Sequence, residues 1–382
     1  MASPPSIAII GAGPAGLTLA RILHVSECKI DITVYERDAS PSARSDQGGT
    51  LDLHTDTGLA ALRKGGLWNS FRKYARYDGQ EMIIADKNAT ALIHVGGGEK
   101  KGLLDRPEID RHRLQEILLQ SVPEEFVRWD RRLKEVTGDG MLRFEGREKL
   151  EGPFDLIVGA DGAWSKVRGK VTELKPAYSG VSGYEMEIRE PAKQCPHVDQ
   201  MVGRGSLFTS SDGKFLNAQR MGDDSLKVRS WYLCPEGEAQ ETMDKFGRKE
   251  TLRKIFERYT DWAPETTELL RQADVDSMKV WTCYELPVGC RWEHQQGFTL
   301  IGDAASLMTP FSGEGVNKAM KDSLDLAELI EKSLNSNNDL TLDHAVLLYE
   351  QSMFPRAQKV QARTMCSKQN AFGPDAPIST MT

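Results

Sequence analysis

The first residues whose types and spacing suggest chemistry are the glycines of the segment GAGPAG, residues 11–16. The segment follows a short β-branched run at 6–10 and precedes an apolar helical stretch at 17–23. A second strand-like run at 30–35 then ends in Glu36. The order of strand, GxGxxG, helix, strand and acid predicts a dinucleotide-binding βαβ unit, and it does not separate NAD from FAD.

Each residue type in this unit has a physical role. Gly11 permits the tight turn, Gly13 lets the backbone approach a pyrophosphate, and Gly16 lets the helix pack against the strand. The helix N-terminus offers unpaired N–H groups and a positive dipole end to the phosphates. Glu36 can accept hydrogen bonds from the hydroxyls of an adenosine ribose. The alternative is a glycine-rich turn in an unrelated α/β domain.

Two further segments place polar residues where a cofactor can bind. Arg111 lies in the first turn of a helix that follows Asp110, the expected N-cap, so a nearby phosphate would compensate a cation that opposes the helix dipole. The alternative is an arginine that faces solvent. Asp161 and Gly162 end a buried strand at 154–160, which is where doubly wound sheets bind ligands, although this pair is also a common turn.

The segment 302–317 favours a flavin. Asp303 follows a strand at 298–301 and can bind polyol hydroxyls. The backbone at Gly313 and Gly315, where the next helix begins, can hold the electron-rich edge of an isoalloxazine ring. An ordinary tight turn is the alternative for the two glycines.

Taken together, these segments resemble the group A flavoprotein monooxygenases, the single-component aromatic hydroxylase family. The resemblance is carried by GAGPAG with Glu36, by the Asp-Gly pair at 161–162, by GDAASLMTPFSGEGVNKAM at 302–320, and by YERDAS…GGTLDLH between 35 and 54. With RPEIDRHRLQEILL at 106–119 and a long C-terminal helix, the chain looks most like the tetracycline-inactivating branch.

The resemblance implies an enzyme that is reduced by NADPH or NADH and captures O2 as a C4a-hydroperoxyflavin, which delivers one oxygen atom to the substrate. FAD would contact Glu36, Arg37, Asp52, Arg111 and Asp303, whereas Arg44 and the Asp-Gly pair would help receive NADPH. The motifs and the resemblance together give these candidate cofactor-binding residues: Gly11, Gly13, Ala15, Gly16, Glu36, Arg37, Arg44, Asp52, Arg111, Asp161, Gly162, Asp303, Pro310, Gly313, Gly315, Val316 and Asn317.

The predicted fold is α/β, with a discontinuous Rossmann-like FAD-binding domain of the glutathione-reductase type. We assign residues 1–79, 103–172 and 284–330 to this domain, 80–102 and 173–283 to a mixed-sheet substrate-binding domain, and 331–382 to a bridging C-terminal helix and tail. A pocket between the domains is expected to bind substrate. Its candidate lining residues are Tyr184, Glu185, Lys227, Arg229 and Phe311. Since alternate strand positions face opposite sides, the strand residues among them can instead face core or solvent.

Composition excludes other classes of protein. The 382 residues carry 49 Lys and Arg against 56 Asp and Glu, a net charge of −7 that disfavours nucleic-acid binding. No apolar run is long enough to span a membrane, and neither the histidines nor the six cysteines have metal-ligand spacing. We expect a cytoplasmic monomer that binds FAD, NADPH or NADH, O2 and a small molecule, without a metal.

The sequence therefore predicts an FAD-dependent monooxygenase that hydroxylates a phenolic or enolic, fused-ring or polyketide-like molecule. No catalytic side chain is assigned, because the flavin supplies the reactive oxygen. The substrate-contacting Gln, Arg and His of the tetracycline-inactivating enzymes align with Glu185, Ser206 and Lys227, so we expect tetracycline to be a poor substrate. The alternatives are a tetracycline-inactivating monooxygenase, a flavin oxidase or dehydrogenase, and a non-catalytic dinucleotide-binding protein.

Overall fold

The computed structural model describes residues 3–44, 48–96, 106–335, 339–374 and 376–377, and the side chain of Arg44 lies outside this description. The strands are β1 (Ser6–Ile10), β2 (Asp31–Tyr35), β3 (Thr50–Asp52), β4 (Met82–Ala85), β5 (Ala91–Val95), β6 (Glu108–Asp110), β7 (Val127–Arg128), β8 (Leu133–Val136), β9 (Leu142–Phe144), β10 (Leu156–Gly159), β11 (Ala177–Ile188), β12 (Ser206–Ser211), β13 (Lys214–Arg220), β14 (Leu226–Leu233), β15 (Asp274–Glu285) and β16 (Phe298–Leu300). The helices are α1 (Pro14–Val25), α2 (Gly58–Lys64), α3 (Trp68–Arg72), α4 (Arg111–Gln120), α5 (Arg168–Val171), α6 (Pro191–Gln194), α7 (Pro196–Val202), α8 (Glu238–Arg258), α9 (Pro264–Gln272), α10 (Asp303–Ser306), α11 (Gly315–Leu334) and α12 (Leu342–Phe372).

A parallel five-stranded sheet, in the order β16-β10-β1-β2-β7, carries the predicted dinucleotide-binding unit. Its central strand β1 is apolar and almost wholly buried, as expected where helices cover both faces of a parallel sheet. Helix α1 packs on α4 and α11. Since parallel strands end at one edge, the residues that follow β1, β10 and β16 lie along the same rim, which confirms the predicted α/β fold.

The second sheet has the order β15-β11-β14-β13-β12-β4-β5 and is mixed, because β12 pairs with β4 in parallel while the other pairs are antiparallel. Its outer face is apolar and packs against α7, α8 and α9. Helix α8 is interrupted at Gly247, whose φ is +71°. The inner face is polar and aromatic, so this sheet presents its chemistry toward the first one.

Helix α12 joins the two sheets. Thr341 is its N-cap and accepts a hydrogen bond from the backbone N–H of His344 at 3.1 Å. The helix continues through Pro355 and contacts α11, β12 and β13. Tyr349, buried in its first half, donates to the carbonyl of Leu300 at 2.9 Å. Most of the predicted C-terminal tail lies outside the described residues.

Within the part of the chain that the structure describes, no helix is both long enough and apolar enough to cross a membrane.

Candidate cofactor and substrate site

The turn between β1 and α1 has the close contacts that its glycines are expected to serve. Gly11 has a φ of +109°, and a Cβ there would lie 2.4 Å from the carbonyl oxygen of Ala160. A Cβ on Gly16 would lie 2.0 Å from the carbonyl oxygen of Gly11, whereas Gly13 faces open space. No side chain caps the N-terminus of α1, so the N–H groups of its first turn are available to an anion. The side chain of Ala15 is buried beside Gly302, and its backbone N–H belongs to this first turn.

Glu36 is buried beneath this turn. Its carboxylate accepts the backbone N–H of Ala12 at 2.7 Å and that of Asp38 at 3.1 Å. Gln115, on α4, donates its side-chain amide to the carbonyl of Ala12 at 2.6 Å. Glu36 therefore also holds the glycine turn in place, a structural role that the sequence prediction did not include.

Arg111 and Asp303 lie near each other in the cleft below the turn. Both side chains reach solvent, and within the described residues neither the guanidinium nor the carboxylate forms a hydrogen bond or an ion pair. Burial by the surrounding protein lowers the pKa of Arg111, an effect that Asp303 opposes. Burial likewise raises the pKa of Asp303, and Lys318 and Arg111 oppose it. Two neighbouring opposite charges that reach solvent, without a hydrogen-bond or ion-pair partner among the described residues, fit a ligand that has both phosphates and hydroxyls.

The Asp-Gly pair after β10 completes the same rim. Asp161 accepts the backbone N–H of Lys166 through Oδ2 at 2.7 Å, but its Oδ1 is buried without a partner, and burial raises its pKa. Gly162 has a φ of +75° and faces open space. The buried Arg168 donates to the carbonyls of Ala163 and Ala304, so it ties this loop to the one that carries Asp303.

The segment 310–317 divides into exposed backbone and buried side chains. Pro310 begins a 3-10 turn, and Gly313 has a φ of +69°. Gly315 is the first residue of α11, and a Cβ built on it would meet no other atom within 4 Å. In contrast, Val316 is packed in the core, and the buried amide of Asn317 is used up by protein partners. Only the backbone of Val316 and Asn317 is therefore available to a cofactor.

The amide of Asn317 binds the chain that follows β3. It donates to the carbonyl of Asp52 at 2.7 Å and accepts the backbone N–H of His54 at 2.8 Å and the hydroxyl of Thr57 at 3.0 Å. The carboxylate of Asp52 lies 2.8 Å from the Nε2 atom of His54 and borders Gly313. Asn317 thus holds Asp52 against the start of α11.

Arg37 and Arg44 are not brought into this cleft by any described contact. The side chain of Arg37 is exposed beyond β2 and forms no hydrogen bond among the described residues. Arg44 ends a 3-10 turn at Pro41–Arg44, and its side chain lies outside the described residues, so its predicted role stays a prediction.

Four of the five substrate candidates lie on the side of the second sheet that faces the cofactor cleft. The Oε2 atom of Glu185 lies 2.6 Å from Nε of Arg229, and the ammonium of Lys227 lies 3.1 Å from Glu187. Phe311 packs edge-on against Trp231 and Phe215, with ring centroids 5.9 Å apart in both pairs.

Tyr184 is the exception, and the prediction that it lines this site is wrong. It precedes Glu185 by one position, so it faces the opposite side of the sheet. There it is buried and donates to the carbonyl of Ala239, beside a separate cavity of about 330 Å³ under α8. Because β11 is buried on both faces, the sequence does not show the two-residue period that would have separated the two residues.

Sequence reasoning missed the buried charges behind Asp303. Lys318, four residues before Asp322 on α11, donates to the carbonyl of Gly302 at 3.1 Å and to Asp322 at 2.8 Å. Asp322 in turn accepts the backbone N–H of Gly302 at 3.0 Å and Arg356 of α12 at 2.7 Å. The spacing of Lys318 and Asp322 signals a helical ion pair, but nothing in the sequence connects it to Gly302.

Comparison with known proteins gives a consistent result over nearly the whole chain. A family model described as FAD binding domain matches residues 5–364. Monooxygenase asqM of Emericella nidulans is 35% identical, over 94% of this chain and 93% of that protein. Klebsiella pneumoniae HpxO, solved with FAD and uric acid, has a TM-score of 0.77 at 19% identity, covering 97% of this chain and 90% of that one. Tetracycline destructase Tet(51) has a TM-score of 0.67 at 16% identity, covering 100% and 98%.

Proposed function

This chain belongs to the FAD binding domain family and is an FAD-dependent monooxygenase, and from that premise we propose that it uses NADPH or NADH and O2 to hydroxylate a phenolic or enolic ring compound. The observation that carries the cofactor part is the cleft containing Arg111 and Asp303, two charged side chains without protein partners beside the open glycine turn. When bound, the flavin supplies the electron transfer and the oxygen activation.

The chain's own residues bind and orient the cofactor. The free N–H groups at the start of α1 and the guanidinium of Arg111 suit the two phosphates, and the carboxylate of Asp303 suits a polyol hydroxyl. Glu36 is positioned under the turn to reach a ribose. The N–H of Gly313 already donates to the carbonyl of Pro310 at 3.1 Å, so the backbone N–H at Gly315, where α11 begins, suits the carbonyl edge of the ring system.

The arrangement of the two sheets supports the domain assignment. The strands of the parallel sheet lie within 6–35, 127–159 and 298–300, whereas those of the mixed sheet lie within 82–95 and 177–285, so β15 passes the predicted boundary at 283 by two residues. The substrate then binds between them, with Phe311 and the inner face of the mixed sheet on one side and the flavin ring on the other. In this proposal the parallel sheet holds the cofactor and the mixed sheet contacts the substrate.

We expect NADPH to bind only transiently, near Arg44 and Asp161, because the chain has no second complete GxGxxG fingerprint. Replacing Arg44 with alanine should therefore slow the reduction of the flavin without changing the FAD content. Stopped-flow reduction under anaerobic conditions measures the first quantity, and the visible absorbance of the purified protein measures the second.

Tetracycline is expected to be a poor substrate. Glu185 and Lys227, which align with the substrate-contacting positions of the tetracycline-inactivating enzymes, are each engaged in an ion pair, and Ser206 is buried. A site whose polar groups do not match a ligand discriminates strongly against it. Rapid, coupled gain of one oxygen atom by tetracycline would contradict this expectation.

The test of the proposed function is a screen for ring compounds that accelerate NADPH oxidation under ¹⁸O2. A product that gains one ¹⁸O atom per NADPH supports the proposal. If NADPH oxidation yields only H2O2 with every compound, the protein is an oxidase, and if purified protein stays colourless after incubation with FAD, the flavin assignment is wrong.

A further inference from the structure

The charged side chains on the inner face of the mixed sheet are already neutralised by one another. Strand register places Glu185 opposite Arg229, and Glu187 opposite Lys227. Both pairs are mostly buried, and the Glu185 side chain is only 7% exposed. Arg229 also donates to Gln219 at 3.3 Å, so two of its donor nitrogens have protein acceptors.

This pairing limits which ligands the face can bind. An arginine that recognises a carboxylate offers a free fork of two N–H groups, but Nε of Arg229 is bonded to Glu185. A ligand carboxylate beside this pair would place two anions against one cation, away from bulk water. Lys279, opposite Glu185 on the edge strand β15, is exposed, so solvent screens its charge.

Arg111, a further cation beside this pair, is assigned to the cofactor in the proposed function. Arg111 lies close enough to this pair that Glu185 raises its pKa and Arg229 lowers it, although burial is the larger influence and lowers it. Its position by Asp303, across the cleft from the sheet, suits the phosphates of FAD. Among the described residues of this face, the cations Arg229 and Lys227 are therefore both paired with carboxylates.

Aromatic side chains lie next to the charged pairs on the same side of the sheet. Trp231 is two residues after Arg229 on β14, and Phe215 is its cross-strand partner on β13. Phe311 meets both edge-on, and the indole N–H of Trp231 is used by Asn217 at 3.3 Å. Trp231 is buried, whereas Phe215 and Phe311 are only partly buried, and both also pack against Phe372 of α12. The partly exposed rings suit the face or edge of a flat ring, and they gain little from a charged group.

We propose that this face selects an uncharged ring compound, and that the Glu185–Arg229 ion pair excludes ligands that carry a carboxylate. This inference rests on the proposed function, since it specifies the substrate class of the same site.

The test compares two probes of nearly equal shape, 2-naphthamide and 2-naphthoate, which differ by one negative charge at pH 7.5. Binding to the FAD-loaded protein is measured by calorimetry, so no turnover is needed. We expect the wild-type protein to bind the amide at least about tenfold more tightly than the carboxylate. E185Q frees Arg229 and should raise the affinity for 2-naphthoate about ten- to a hundredfold.

Two further variants identify the cause. The double variant E185Q with R229Q should lose the gain, because the freed cation is gone, and E257Q, an exposed change on α8, should match the wild type. Equal or tighter wild-type binding of 2-naphthoate overturns the proposal, as does a folded, FAD-loaded E185Q with no gain. If the wild-type protein binds neither probe, the proposal is judged by whether E185Q gains affinity for 2-naphthoate. If E185Q does not hold FAD, the proposal is judged by whether the wild-type protein binds the amide more tightly than the carboxylate.

The proposed function fails separately from this inference. FAD content and ¹⁸O incorporation are measured on the same preparations, and a protein that prefers the amide without oxygenating any compound would refute only the proposed function.

Discussion

The ammonium of Lys318 lies 2.8 Å from the carboxylate of Asp322, and the two side chains are 1% and 0% exposed. Together they bind both the N–H and the carbonyl of Gly302, the residue before Asp303. A buried ion pair thus fixes the backbone from which the cofactor-facing carboxylate projects.

Removing one partner of this pair should be costly. Lys318→Met leaves Asp322 with Arg356 as its one charged partner among the described residues and removes the side-chain donor to the Gly302 carbonyl, so we expect a loss of about 3–5 kcal/mol in the free energy of unfolding. The matched control, Lys321→Met, removes the partly exposed partner of Asp325 and should cost at most about 1 kcal/mol. Urea unfolding of both apoproteins measures the difference, and equal losses would show that the Gly302 contacts contribute little.

Arg111 should behave oppositely in the apoprotein and the FAD complex. Its guanidinium reaches solvent and has no partner among the described residues, so Arg111→Met should not lower the stability of the apoprotein. The variant should bind FAD about ten- to a hundredfold more weakly, because a charge-assisted contact to phosphate is lost. The control is Arg113→Met, which removes an exposed arginine paired with Glu116. Unchanged FAD affinity in Arg111→Met would contradict the assignment.

Replacing Glu36 should change both the affinity for FAD and the stability of the apoprotein. Replacing it with alanine removes the acceptor for the N–H groups of Ala12 and Asp38, so the glycine turn loses its support as well as its ribose contact. We expect Glu36→Ala to weaken FAD binding and also to destabilise the apoprotein by about 1–3 kcal/mol. Glu36→Gln keeps one acceptor oxygen and should preserve more of the stability. Thermal melts with and without FAD separate the two effects.

Glu108 should make the protein less stable as the pH rises. Burial raises the pKa of this carboxyl to about 7, and Arg76 only partly opposes the effect. Because the folded-state pKa is above the unfolded one, the neutral form stabilises the fold at low pH, and this contribution is lost as the pH rises through about 7. The melting temperature of Glu108→Gln should therefore exceed that of the wild type increasingly between pH 5 and pH 8. A difference that does not change with pH would contradict the prediction.

His294 should also link stability to pH, through the attachment of α12. It lies 2.8 Å from Glu350, a buried carboxylate that also accepts the indole of Trp292 and the hydroxyl of Thr299. Burial lowers the pKa of His294, but the hydrogen bonds to Glu350 and Asp343 raise the pKa by more than burial lowers it, so the net shift is upward. The contribution is complete below the unfolded value of about 6.5 and is lost as the pH rises through the folded value. His294→Gln should flatten this part of the stability profile.

Short-range features of the site could be predicted from the sequence, whereas long-range ones could not. The glycine turn, the strand ends at Asp161 and Asp303, and the start of α11 are all local consequences of residue order, and the structure has them at the predicted places. The buried use of Asn317 depends on Asp52 and His54, more than 260 residues away in sequence. No local pattern signals such a pairing.

The same limit explains two smaller differences. Asp110 does stand at the N-cap position of α4, but its carboxylate is drawn away to Arg76 and to the N–H of Gly222. The residue type of Tyr184 is typical of a strand, and only the packing of α8 shows which face of the sheet the side chain occupies. In each case a tertiary partner decides between roles that the residue type leaves open.

The parallel sheet is built from strands that are far apart in the chain, with β1 at its centre and β16, near residue 300, at its edge. Residues leave the ribosome in sequence order, so every strand of the mixed sheet has left the ribosome before β16 emerges. Helix α12, whose Arg356 binds the same Asp322 that accepts the N–H of Gly302, follows later still. The mixed sheet can therefore pair while the cofactor cleft is incomplete, and capture of the flavin during synthesis must wait until β16 and α11 have left the ribosome.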